Sequence, residues 1–181
     1  SGAVWRVAPV TSWEQIPAST TVDPAGILRL EMDASGAVDL SALPDGPWQL
    51  LRMGHTSTGH TNETGGAGRG LECDKFNPEA IRRQFQGWFA EIYDRMDPAT
   101  ARRVITTLHI DSWECGSQNW SPRFAEEFHR RRGYDLIPFL PLYAGIPVGT
   151  ADRAEKILHD IRETIAELVA DVFYDTIAVL A

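Results

Sequence analysis

One run constrains this chain more than any other: residues 104–133, VITTLHIDSWECGSQNWSPRFAEEFHRRRG, which read as a buried strand, an abrupt polar loop and a helix. Val104 to Asp111 has the β-branched richness and the length of a strand. A period of two puts Ile105, Thr107, His109 and Asp111 on one face, with Val104, Thr106, Leu108 and Ile110 on the other. The loop crowds Asp111 and Glu114, three apart, beside Trp113, Gln118, Asn119 and Trp120. Ser121-Pro122 then supplies an N-cap and a first-turn proline, and Gly133 a stop. In parallel α/β sheets and barrels, ligands sit beyond the carboxyl ends of the strands. Carboxylates, amides and indoles gathered at such an end suit sugar chemistry: acids act on the bond, amides take hydroxyls, flat rings cover C–H faces. A purely structural strand end needs fewer of them, so the stretch is predicted to be an active site.

Bulk properties bound the rest. A chain of 181 residues is about one domain's length and can bury a core. Its net charge of −8 argues against a general nucleic-acid surface. The dense cationic run Arg130-Arg131-Arg132 falls in a helix's last turn, where a solvated end that complements the dipole is expected. Cys73 and Cys115 are too few for a disulfide scaffold and lack metal spacing, so both are read as small buried residues. No apolar run approaches about 18 residues, so no membrane span is expected. Ser1-Gly2 does not resemble a natural start, and the chain is expected to be an excised piece.

Residues 1–47 are punctuated by proline and glycine, with short strand candidates at Ile27–Met32 and Val38–Leu40 around a Ser35-Gly36 turn. They are read as a β-rich approach segment, and 48–181 as the catalytic part. Trp48–His55 is a second core-strand candidate, leading into a polar glycine-rich loop at 55–70 that holds His55, His60 and Asn62. Gly66, Gly68 and Gly70 have phosphate-cradle spacing, but no helix and no Lys-Ser/Thr pair follows, so a loop over a strand end fits better. Glu72 and Asp74 come next, then Asn77-Pro78 opens a helix with Ile81, Phe85, Trp88, Phe89, Ile92 and Met96 on one face. Asp97-Pro98 is expected to end it and lead into the Val104 strand, which completes a βαβ unit. Residues 134–149 carry too much proline for a helix. Thr150 can cap a last helix whose acidic stripe, Asp152 to Asp171, is read as solvated.

The residue types leave three roles open for Asp111 and Glu114: a glycosidase acid pair, part of a metal site with His109, or structural partners for loop amides and arginines. No GxSxG occurs, and neither cysteine sits in a Cys/His context.

Three blocks narrow this. GHTSTGHTN (54–62), GLECDKF (70–76) and DSWECGSQNWSPRFAEEFHRRRGYD (111–135) resemble glycoside hydrolase family 106, the α-L-rhamnosidases. The likeness runs in the family's order over roughly residues 44 to 181. It implies an inverting, calcium-dependent enzyme acting on rhamnose-containing glycosides, on a (β/α)8 TIM-type barrel with appended β domains. Glu114 maps onto the proposed general acid and Asp111 onto its Asp-x-x-Glu partner. His55, His60, Asn62, Glu72, Asp74, His109, Trp113, Gln118, Asn119 and Trp120 are the candidate sugar contacts; the calcium ligands stay unassigned. The substrate class favours a secreted or periplasmic setting. A complete barrel needs at least about 200 residues, so the expected fold is a partial α/β barrel that holds the acid and lacks the base. The other reading, from a different class, is a non-catalytic carbohydrate-binding or assembly module.

Overall fold

The computed structural model describes residues 17–41, 43–62, 65–111 and 118–181. It is helical, and the expected α/β barrel units are not there. Among the described residues no β-strand forms, only the isolated bridges Val22–Val148, Met32–Val38 and Thr61–Leu71. The β-rich reading of 1–47, over its described residues, and the strands at Trp48–His55 and Val104–Asp111 are therefore corrected; residues 1–16 of that segment lie outside the described residues.

The reason is local at one end and tertiary at the other. The helical run from Pro78 ends at Asp94, just before Asp97-Pro98, but the pair then starts another helix where a strand was expected: Asp97 Oδ2 accepts the Thr100 N–H at 2.9 Å, and α3 runs Pro98–Val104. It closes with the Ile105 N–H donating to the Ala101 carbonyl, so Val104 belongs to a helical turn. Residues 105–111 find no ladder, and a strand persists only where a neighbour takes its N–H and C=O groups. Trp48 to Met53 is likewise exposed along its length.

The chain divides into two compact units. In the first, residues 1–53 with 134–160, the core is Leu136, Phe139, Leu142, Val148, Ala154 and Ile157. The proline-rich stretch expected to be non-helical forms a 3-10 helix, Ile137–Ala144. Its two prolines remove donors, yet the tighter turn still closes on Gly145 (φ 75°), whose N–H reaches the Leu142 carbonyl. Tyr134 meets Phe139 edge-on at 5.9 Å and donates to Asp160 Oδ2 at 2.8 Å. The Val22–Val148 bridge pins the N-terminal part through two 2.8 Å backbone bonds. The Ser35-Gly36 turn is present, tied by Asp33 Oδ1, which accepts from Ser35 and Ala37.

The second unit, residues 54–133 with 161–181, is built on Phe76, Ile81, Ala101, Phe124, Phe128, Ile161 and Leu168. Asn77 caps α1, Pro78–Phe85, as its sequence predicts, by accepting the Glu79 N–H. A wide π turn, Gln86–Ala90, separates it from α2, Glu91–Asp94. Helix α4, Phe124–Arg132, begins three residues past Ser121 and stops at Gly133 in the left-handed conformation. Helix α5, Ala151–Leu168, continues through a second π turn, Val169–Tyr174, into α6, Asp175–Leu180, which packs on α1.

Two charge readings also change. Arg131, its side chain 10 % exposed, holds Glu127, Glu167 and Asp171 at 2.7–3.4 Å, and Arg132 meets Glu167 and Thr164. The basic run and part of the acidic stripe are thus mutual partners across α4 and the α5 end, where solvated faces were expected. Arg132 Nη2 lies 2.6 Å from Glu167 Oε1, a close ion pair.

Candidate functional site

The 70–76 and 118–124 blocks come together in the second unit, around one amide. Gln118 Oε1 accepts the Lys75 N–H at 3.1 Å, while its Nε2 donates to Asp74 Oδ1 at 2.5 Å and to the Trp120 carbonyl at 3.3 Å. Donors and acceptors on three sides fix which end of the amide is which. Asp74 Oδ1 also accepts the Phe76 N–H at 3.0 Å, which turns the chain into Asn77 and α1. Beneath lie stacked rings: Trp120 is 5.2 Å from Phe124, and Phe124 is 6.0 Å from Phe76. Burial of Phe124 thus supports Trp120 from below, at separations where aromatic pairs attract.

A second strap comes from the 54–62 block. The Glu72 N–H donates to the His60 carbonyl at 3.1 Å, and the Asn62 N–H to the Gly70 carbonyl at 3.0 Å. The Asn62 side chain closes the glycine-rich loop by donating to Gly68 O and accepting the Gly70 N–H. Within this loop Gly66 has a positive φ of 63°, which favours glycine there. The Glu72 side chain accepts from Lys75 Nζ at 2.8 Å.

Of the predicted residues, the structure thus gathers His60 (through its backbone), Asn62, Glu72, Asp74, Gln118 and Trp120. His109 and Asp111 face each other at 3.7 Å on the irregular segment after α3, their side chains 79 % and 82 % exposed. The strand face on which both were expected to point inward is not formed, and both side chains face solvent. His55 and Asn119 are exposed. Glu114 and Trp113 lie outside the described residues, as does Cys115.

Lys75 was missed by sequence reasoning. It is buried, with its ammonium on Glu72 and its position 6.0 Å from the Phe173 ring. The available signal was its type: it is one of two lysines in a cation set otherwise made of arginine. Burial pushes the Cys73 thiol above its ordinary value of 9.0; Lys75 pulls it down, while Glu72 and Asp74 add to the rise. Cys73 is free and unsuited to act as a thiolate near neutrality.

Comparison with known proteins places these motifs. The sequence model of glycoside hydrolase family 106, alpha-L-rhamnosidase, matches residues 4–181. A Formosa agariphila protein provisionally named a beta-glucuronidase is 35 % identical over 161 residues, 88 % of this chain and 14 % of that protein. The solved rhamnosidase from Novosphingobium sp. PP1Y superposes with a TM-score of 0.71 at 32 % identity, over 86 % of this chain and 16 % of its own. The chain therefore spans about one-seventh of the length of these relatives.

Proposed function

Because the chain belongs to glycoside hydrolase family 106, the α-L-rhamnosidases, we propose that it carries the acid side of an inverting rhamnosidase site. In this reading Glu114 protonates the leaving oxygen of a terminal α-L-rhamnosyl linkage. A second carboxylate, about 6.5–9.5 Å away on the other ring face, activates water. That base is supplied by the full-length protein, because Glu72 and Asp74 are already committed to Lys75 and Gln118. The observation that carries the reading is the Gln118 clamp. It holds Gln118 against the 70–76 block, in the same short stretch as the Trp120 ring that suits a sugar's C–H face. Asp111 orients neighbouring groups or touches hydroxyls rather than transferring the proton.

Calcium takes six to eight oxygen ligands. Among the described residues no three His, Cys, Asp or Glu side chains stand together to hold an ion, so no step is routed through calcium. Rhamnosylated polysaccharides or glycosides are the proposed substrates, met in a secreted or periplasmic setting.

The test uses the full-length enzyme on aryl α-L-rhamnosides. Glu114→Gln lowers turnover by at least about 10²-fold on a poor leaving group and far less on an activated one, as loss of an acid requires. Equal losses on both would remove Glu114 from the role. An aryl β-D-glucuronide forms the second arm, since one relative carries that name; faster hydrolysis there would overturn the sugar assignment. The 181-residue chain alone should turn over neither substrate.

A further inference from the structure

Lys75 is the most deeply buried charged residue among those described, 7 % exposed. An ammonium in that position is unfavourable unless paired. One partner is Glu72 Oε2 at 2.8 Å, and the Phe173 ring centroid lies at 6.0 Å, the outer limit of cation–π attraction. Replacing such a pair by apolar residues of similar volume is often neutral or stabilising. The fold alone therefore gives little reason for a charge here. What the pair does fix is direction. The Glu72 side chain remains 24 % exposed while Lys75 holds one of its oxygens. Lys75 takes Oε2; Oε1 has no hydrogen bond among the described residues and has the lone pairs to accept from a hydroxyl. The Lys75 backbone is itself held by Gln118, so the ammonium is registered against the 118–120 loop.

We propose that Lys75 is a positioning residue that aims the Glu72 carboxylate at a hydroxyl of the bound sugar and ties that aim to the Gln118 loop. This deepens the rhamnosidase reading and rests on it. Lys75 does not touch substrate; it acts through Glu72.

The experiment measures KM, kcat and Tm in the full-length enzyme on an activated aryl α-L-rhamnoside. Lys75→Met keeps the volume and removes the charge. KM should rise about tenfold or more while kcat stays within about threefold, the pattern of a contact made equally to bound substrate and transition state. Lys75→Arg should recover part of the loss. In a Glu72→Gln background, adding Lys75→Met should change KM by less than about twofold, because the two act as one unit. A lowered Tm with KM unmoved makes Lys75 merely structural and overturns the proposal, as do effects that multiply in the double variant. If Lys75→Met does not fold, Glu72→Gln carries the test alone, and an unchanged KM overturns it. A wild-type enzyme inactive on rhamnosides sinks the rhamnosidase reading; an active one with KM unmoved sinks only the role of Lys75.

Discussion

Replacing Gln118 with leucine keeps its bulk and deletes its three hydrogen bonds. The Lys75 N–H, in a buried residue, loses its acceptor, and an unsatisfied buried donor costs about 1–3 kcal/mol. Asp74 loses a charge-assisted partner but keeps the Phe76 N–H and is half-exposed, so water recovers part of that term. About 1 kcal/mol remains there. The 3.3 Å bond to the Trp120 carbonyl is long and adds little. The sum is about 2–4 kcal/mol, a large share of the 5–15 kcal/mol that typically holds a domain. Urea unfolding followed by circular dichroism reads it directly. With a slope of about 2 kcal/mol/M, the midpoint should fall by about 1–2 M. Asp74→Asn, which keeps an oxygen at the same place, should cost about half as much. A midpoint shift under about 0.3 M at unchanged slope would mean that the clamp does not hold the two blocks together.

Glu167 is held below its ordinary value of 4.5, first by the Arg131 hydrogen bond and then by Arg132. A depressed carboxylate contributes stability above its unfolded pKa and loses it as pH falls through the folded value. The advantage of wild type over Glu167→Gln should thus be full above pH 4.5 and shrink below it, in acid unfolding of the two side by side; an advantage that grows on acidification contradicts the pairing. Cys73, in a Cys115→Ser background, should react with an aromatic disulfide at pH 8 at least about tenfold more slowly than free cysteine, since the thiolate is the nucleophile. Lys75→Met should slow it further by removing the one cation that favours the thiolate; acceleration would place Lys75 elsewhere.

The helix ends were the most legible part. Asn77, Thr150 and Gly133 act through side chains or backbone within four residues, so a local reading finds them. Asp97-Pro98 shows the limit: the preceding helix does end there, but the pair is also a start signal, and missing it turned a helix ending at Val104 into the beginning of a strand. Residues 105–111 have a strand's composition, but a ladder needs a second segment, and composition says nothing of whether one is beside it. The charge stripes failed for a related reason. Arg131 and Asp171 are forty residues apart, and their 2.7 Å contact exists only once α4 lies against the α5 end. For the site, types were enough to pick Gln118 and Trp120, and the family resemblance added Asp74, whereas the buried Lys75 was invisible because burial is decided by the fold.

The wide turn at Val169–Tyr174 sets a phase as well as a path. An α-helix turns about 100° per residue, and a π turn accommodates one residue more than the α pattern allows. Before it, the buried positions Ile161, Thr164 and Leu168 keep a spacing of three and four. Continued unbroken, that rhythm would bring Asp175, seven residues past Leu168, onto the seam. The residue buried there is Thr176, one step later. The extra residue thus rotates α6 by a single position and keeps a carboxylate out of the interior. A deletion of Ala170 would for that reason act as a rotation of the last helix, presenting Asp175 where Thr176 belongs, and would do far more harm than the loss of one alanine suggests.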